Sequence, residues 1–523
     1  MSIVINTVAP GSSHGEAPIT NDVLKQDMIT DTIAAGLSFM LLTNVLQRGI
    51  GFLRNIAFCH FLSQQDLGIW ALASGFFVLA APLSVLGLPG SIGRFTEFYR
   101  TRNQLTGYLR WMVLGSSTGV LVFSALLLAN PTWSSEYILG DKQSRGTVFL
   151  LTATLLTVVV FNFMTELLSG LRQNRVVSRM QMVNSLSFTA LSVAWLMFSS
   201  DWRGVLLAFA IASVLGLIPG LHGLRTTCRV AFINQAPIQT QRMWLRVIPF
   251  AASVWLMNLL GNLFDVVDRY MLLYLASSDS MTGTAIVGQY HSGRILPVLI
   301  TSLSMMLNGM ILPHLCADWE AGKFEAVRTR VRSTLKLLTL FFWALSIGGM
   351  VVAPILFQSL LDGRYAEGLS IMPLGLIHCT YSALAAFLFS YFLCEEKGNL
   401  VTKLMAGGLI LNISLNYAMV PRWSVFGAML ATSIAGVVIL AMTIGILYRQ
   451  GFKIGFPALI LCILPASLAL STSLSMCLFA ATLVTISRSN LLLDPEEKDS
   501  LNEHINPVLK RLGLSGSESC FWR

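Results

Sequence analysis

The chain has 523 residues, of which 54% are apolar and only 12% charged, with mean hydropathy +0.68. Soluble domains carry roughly 25% charge, and one soluble core stops growing near ~250–300 residues, so a soluble multidomain enzyme and a disordered chain are both excluded. What remains is a polytopic membrane protein with a formal charge of +9 to account for.

Residues 1–32 are polar, hold one cation (Lys25) and lack the basic segment, short apolar core and cleavage site of a signal peptide. They read as a cytoplasmic tail. A spanning helix needs ~20 mostly apolar residues. Such segments lie near 33–61, 69–93, 109–129, 147–170, 180–199, 204–223, 246–275, 284–313, 335–360, 369–393, 401–420 and 425–448. The stretch 454–489 is too long for one span and breaks at Ser471-Thr472-Ser473, giving a hairpin of 454–470 and 474–489. The expectation is an all-α polytopic fold of about 14 transmembrane helices, with 13 as the alternative count. It divides into an N-terminal six-helix lobe (33–223), a polar linker (224–245) and a C-terminal six-helix lobe (246–448). An accessory hairpin (449–489) and a cytoplasmic tail (490–523) complete it.

The cations fit this map. With the N-terminus inside, 26 of the 35 Lys and Arg fall in cytoplasmic segments, notably 94–110, 172–179, 225–246 and 323–336. That is the asymmetry of the positive-inside rule. None of the eight cysteines lies in an outside loop and no CxxC occurs, so neither a disulfide framework nor a zinc site is expected. Two motifs invite over-reading. Gly11-Ser-Ser13-His-Gly15 matches a serine-hydrolase pattern without its strand and helix. Gly87-Leu-Pro-Gly90 is not followed by Lys-Ser/Thr and reads as a bend at the end of span two. No nucleotide, metal or nucleic-acid signature is present, and the longest outside loop, 130–146, lacks a catalytic constellation. The chain therefore does not read as an enzyme.

Four arginines remain inside spans: Arg48, Arg54, Arg269 and Arg294. Each is costly there unless it faces a cavity or a partner. Arg48 and Arg54 lie about 9 Å apart along one helix, with Gly51 midway to admit a neighbouring helix or bulky ligand. Arg294 lies one-third into span eight, three residues before Pro297. None of these three has an acidic residue near in sequence, so together they suggest a pocket for an anion. Arginine's planar fork suits phosphate and diphosphate. Arg269 differs: Asp265, four residues earlier, is placed to pair with it. Asp268 is then spare, as a cation or proton site or part of a salt-bridge network. Glu166 reads as snorkelling to the interface, and His60 and His291 as structural.

The two halves repeat weakly. Arg54 is followed by Leu67-Gly68-Ile69-Trp70, and Arg269 by Val287-Gly288-Gln289-Tyr290. These segments, with Gly49-Ile-Gly51-Phe-Leu-Arg54, Asp265-Val-Val-Asp268-Arg269 and Tyr290-His-Ser-Gly-Arg294-Ile-Leu-Pro297, resemble the multidrug/oligosaccharidyl-lipid/polysaccharide exporter superfamily. The likeness is nearest to its polysaccharide biosynthesis proteins, the O-antigen-type flippases. Related lipid II flippases carry Ser-Arg-x-x-Gly-x-x-Arg and Tyr-x-x-x-Arg-Leu-x-x-Pro. Here Gln47 replaces the serine and Pro297 comes one residue early. The resemblance implies a flippase, not an enzyme, that turns a polyprenyl-diphosphate-linked glycan such as a lipopolysaccharide precursor across the cytoplasmic membrane by alternating access. Arg48, Arg54 and Arg294 would hold the diphosphate. No cofactor is implied; the drive is membrane potential, Na+ or H+, with Asp268 the candidate ion site. The implied partners are the lipid-linked glycan, the bilayer and other glycan-assembly membrane proteins. The alternatives are an ion-coupled exporter of small drugs or metabolites from the same superfamily, and a membrane glycan polymerase.

Overall fold

A computed structural model describes residues 33–231, 237–276, 281–495, 497 and 498. The segment 1–32 with Lys25 and the Gly11–Gly15 pattern, residues 232–236 of the linker, and 499–523 lie outside the described residues. Among the described residues there is no strand. The first half comprises α1 (Ile33–Phe61), α2 (Gln64–Ser84), α3 (Ile92–Arg100), α4 (Leu105–Ala129), α5 (Pro131–Leu139), α6 (Arg145–Gly170), α7 (Asn174–Leu196) and α8 (Trp202–Ala231). The second comprises α9 (Thr240–Leu275), α10 (Gly283–Gly293), α11 (Pro297–Glu320), α12 (Phe324–Ile355), α13 (Ala366–Cys394) and α14 (Gly398–Arg449). α15 (Phe456–Ile463) and α16 (Thr472–Arg488) follow. Nine of the described helices are long and apolar enough to cross a membrane.

Several expected spans are broken, each for a local reason. Span two stops at Leu86 and Gly87, both at positive φ (50° and 67°), and restarts through the 3-10 turn Leu88–Ser91 into α3. The Gly87–Gly90 motif is thus a bend, as its composition indicates. The expected span 284–313 is two helices. Arg294 caps α10, its N–H and that of Ile295 bond to His291 and Ser292, and Pro297, which has no N–H to give, opens α11. Spans 401–420 and 425–448 form α14, a run interrupted at Ser424 (φ 45°, ψ −125°) just after Pro421. The loop 130–146 contains α5, started by Pro131 and capped by Asn130, whose Oδ1 accepts the N–H of Trp133 at 3.2 Å. The hairpin breaks where expected: Ser471 Oγ caps α16. Its first arm tightens to a 3-10 turn over Leu464–Ala469, at Pro465.

The repeated glycines are the closest joint between the halves. A Cβ on Gly68 would meet the Thr284 carbonyl at 1.7 Å, and one on Gly288 would meet the Gln64 carbonyl at 2.1 Å. Each glycine therefore lets its helix, α2 or α10, lie on the other's backbone. Beside this joint, Arg364 donates to the carbonyls of Cys59 and His60, while its own carbonyl accepts from Gln64 Nε2 (2.6 Å) and Gln289 Nε2 (3.0 Å). This end of the bundle is closed by reciprocal contacts from both halves. At the opposite, basic end, the segment after α16 packs on α12. Leu492 and Leu493 are buried, and Glu497 accepts from Lys336 Nζ (2.9 Å), Ser333 Oγ (2.5 Å) and the Asp494 N–H (2.9 Å). Burial alone would raise the Glu497 carboxyl, but these hydrogen bonds outweigh it and hold the group below its ordinary value.

Two outcomes follow from these contacts. Gly288→Leu must force α2 and α10 apart, so Cys59, which is fully buried beside the joint, is expected to react with a maleimide faster than in the parent, read by mass spectrometry. Unchanged labelling would contradict the joint. For Glu497 the depressed carboxyl stabilises docking above the ordinary glutamate pKa of about 4.3, and that contribution is lost as pH falls through the lower folded value. Protection of residues 490–498 from proteolysis is expected to persist at neutral pH and fail in acid, and protection that ignores pH across this range would contradict it.

Candidate functional site

α1 presents a polar stripe at helical spacing: Asn44, Arg48, Gly51 and Asn55. With Gln47 and Arg54 on its flank, the stripe lines a cavity of about 340 Å³, closed by Gln181 and Ser185 of α7 and by Ile295, Val298 and Ser302 around the α10–α11 break. No acidic side chain is among its lining residues. Among the described residues, Arg48 has neither an ion pair nor a hydrogen bond. Gln47 Nε2 and Arg54 Nε are buried without acceptors. The rest of the Arg54 guanidinium lies 4.3 Å from the Phe188 ring, and its Nη1 donates to Thr189 Oγ1 at 3.3 Å. The cavity is rich in donors that lack acceptors. Such groups are costly to bury unless something supplies the missing partner.

Asn44, Arg48, Leu299 and Ser302 also line a second cavity, about 360 Å³, whose other walls are mainly apolar: Val45, Leu303, Met305, Met306, Met310 and Leu345. The two cavities share a wall along α1 and α11. At Gly51 no neighbouring helix approaches; a Cβ would meet only Arg54 Nη2, at 3.7 Å. Of the two expectations for Gly51, a neighbouring helix or a bulky ligand, no helix occupies the space among the described residues, and Gly51 forms part of the cavity wall.

The other two arginines are disposed differently from the sequence expectation. Arg294 does have an acidic partner, Asp265, 29 residues earlier: Nη2 pairs with its carboxylate and Nη1 donates to its carbonyl at 2.9 Å. The break after α10 turns Arg294 toward α9, and it lines neither cavity. The expected Asp265–Arg269 pair does not form. Arg269 instead crosses to α2, donating to the Ala71 carbonyl at 2.8 Å and to Ser74 Oγ at 3.4 Å. Gly75 leaves room for it.

Asp268 is 1% exposed. It accepts from Tyr290 Oη (2.6 Å), Asn416 Nδ2 (2.7 Å) and Thr432 Oγ1 (2.5 Å). Asn412 backs this set, donating to Thr432 Oγ1 at 3.0 Å. No cation lies within ion-pairing distance of Asp268 among the described residues. Asn416 and Thr432 were not legible as partners, because they reach Asp268 across more than 140 residues of sequence, and Asn412 acts on it through Thr432. No group of three His, Cys, Asp or Glu able to hold a metal occurs among the described residues. Two thiols do meet: Cys316 Sγ of α11 and Cys394 Sγ of α13 are 3.0 Å apart.

Comparison with known proteins places these features. The family described as "Polysaccharide biosynthesis protein" matches residues 33–317. A membrane protein of Methanocaldococcus jannaschii is 19% identical over 417 residues, covering 76% of this chain and 80% of its own length. Stage V sporulation protein B of Bacillus subtilis is 21% identical over 336 residues, 60% of this chain and 64% of its own length. Among solved structures, the lipid II flippase MurJ in an inward closed conformation superposes with TM-score 0.65 at 12% identity, over 85% of this chain and 98% of that one. An inward-facing multidrug resistance MATE family transporter of the MOP superfamily gives 0.62 at 13% identity, over 79% and 97%. With more than half of its length matched, the chain belongs to the polysaccharide biosynthesis protein family and has the helical fold shared by MurJ and the MATE transporters.

Proposed function

We propose that the protein is a flippase that moves a polyprenyl-diphosphate-linked oligosaccharide or polysaccharide precursor across the cytoplasmic membrane. The observation that carries this reading is the donor-rich cavity with an unpaired Arg48, sharing a wall with an apolar one. A lipid diphosphate has both matching parts: anionic oxygens for Arg48, Arg54 and Gln47, and hydrocarbon for Met305, Met306 and Leu345. Arg294 would reach the diphosphate only by leaving Asp265. A cationic drug would need an acid in the Arg48 cavity, and its walls offer none. No chemical step belongs to this reading.

The likeness to a lipid II flippase and the family match support the substrate class. The distribution of Lys and Arg supports a cytoplasmic N-terminus and basic end. In this orientation the joint between Gly68 and Gly288 seals the outer side, and transport requires the two halves, as two lobes, to rock about it. Asp268 is the proposed coupling site for Na+ or H+. A buried carboxylate bonded only by neutral donors still lacks a countercharge, and a cation or a proton supplies one. The membrane potential, worth about 2.3 kcal/mol per charge per 100 mV, would add to the drive.

Binding of undecaprenyl diphosphate to the purified protein tests the site. Arg48→Ala is expected to weaken it about ten-fold or more, the value of one charge-assisted hydrogen bond, and Arg48→Ala with Arg54→Ala further. Full affinity in the double variant would overturn the assignment. For the coupling site, Asp268→Asn is expected to abolish the dependence of transport on a Na+ or pH gradient while leaving undecaprenyl diphosphate binding intact, and coupling retained in this variant would overturn that role.

A further inference from the structure

Between α2, α6 and α9 lies a third cavity, about 300 Å³, that shares no lining residue with the two already described. Two helices face it with polar residues one turn apart: Asn162 and Glu166 on α6, Asn258 and Asn262 on α9, with Trp255 one turn before Asn258. The bend at Leu86–Gly87 forms another wall. A Cβ on Gly87 would meet Trp255 Cβ at 2.5 Å, so the chain leans directly on that residue. Phe77 and Phe163 complete the aromatic part of the lining.

The hydrogen-bonding state of this cavity is incomplete in both senses. The Glu166 side chain is exposed and, among the described residues, has no ion pair and accepts no hydrogen bond. Trp255 Nε1 is buried and has no acceptor. Asn262 is engaged through Nδ2 to the Val78 carbonyl at 3.1 Å, and Thr165 Oγ1 to the Phe161 carbonyl at 2.9 Å. An occupant that matches both groups donates to Glu166 and accepts from Trp255. An ammonium group only donates. A phosphate accepts but is repelled by the carboxylate. A hydroxyl does both, and a side-chain amide matches it from either end. Several hydroxyls on one rigid, compact body, with C–H faces to lie on aromatic rings whose faces are negative, describe a pyranose. The volume is at the low end of the ~300–1,000 Å³ of small-molecule sites.

We propose that this cavity is a binding site for sugar units of the glycan, separate from the site of the diphosphate. Glu166 accepts hydroxyl hydrogen bonds, Asn258 accepts and donates them, and Trp255 donates to a sugar oxygen. Glu166 thus recognises cargo, a role that the snorkelling reading of its position does not include. The inference rests on the flippase reading, and it adds that affinity depends on the glycan as well as on its lipid diphosphate.

The experiment compares binding of bare undecaprenyl diphosphate with the same lipid carrying a hexose–N-acetylhexosamine disaccharide, using the full chain in detergent. The parent is expected to bind the glycosylated lipid more tightly. Glu166→Gln combined with Asn258→Ala is expected to lose about ten-fold for the glycosylated lipid and nothing for the bare one. Trp255→Phe keeps an aromatic ring while removing the unpaired N–H with the pyrrole part of the indole, and should show the same selectivity should the double variant not fold. Equal losses for both lipids, no loss for either, or a parent that does not distinguish them would overturn the sugar site while leaving the flippase reading intact. A parent that binds neither lipid would overturn both.

Discussion

An arginine inside a bilayer costs ~2.5–3.5 kcal/mol on insertion scales, and the four that this chain carries are accommodated in different ways. Arg294 is neutralised by Asp265 within the second half. Arg269 donates through Nη1 to the Ala71 carbonyl and Ser74 Oγ of α2 and so becomes a tie between the halves. Arg54 is partly met by Thr189 and the face of Phe188. Arg48 has no partner among the described residues. The cavity around it, with the unmatched donors of Gln47 and Arg54, exists because the protein leaves that charge unmatched. The proposed substrate answers this residual, with its anion at Arg48 and its hydrocarbon in the adjoining apolar cavity.

The rest of the fold keeps those polar surfaces at the boundary between the halves. The break at Arg294–Pro297 does two things at once. It turns Arg294 back to Asp265, and it brings Ile295, Val298 and Ser302 to face the stripe on α1. The joint of Gly68 and Gly288 holds α2 on α10 where no side chain can intervene. It does so with the same residue from each half, which is what a twofold relation between repeats requires. Asp268 lies one residue before Arg269, so α9 carries the proposed ion site beside the tie to α2.

Much of this was legible in the chain. The helical class, the order of the spans, the hairpin at Ser471 and the Gly87 bend follow from hydropathy and from Gly and Pro. The polar stripe on α1 was visible as well, since Asn44 and Asn55 stand at helical spacing from Arg48, although charge alone drew the eye to the arginines. Other features were not legible because they are set by contacts remote in sequence. Pairing by i,i+4 spacing favours Asp265 with Arg269, yet the broken helix delivers Arg294 to that aspartate from 29 residues away. The partners of Asp268 come from α10 and from both sides of the Ser424 break. Glu166 looks like an isolated acid near a helix end until α9 sets Asn258 and Trp255 opposite it.

The most direct test of the account is transport. Liposomes containing the purified protein, loaded with fluorescent undecaprenyl diphosphate that carries a short oligosaccharide, report translocation as loss of fluorescence to an impermeant quencher. The account predicts translocation of this lipid by the parent, its loss in the Arg48→Ala/Arg54→Ala variant, and no efflux of a cationic dye. Dye efflux with no movement of the lipid would contradict it.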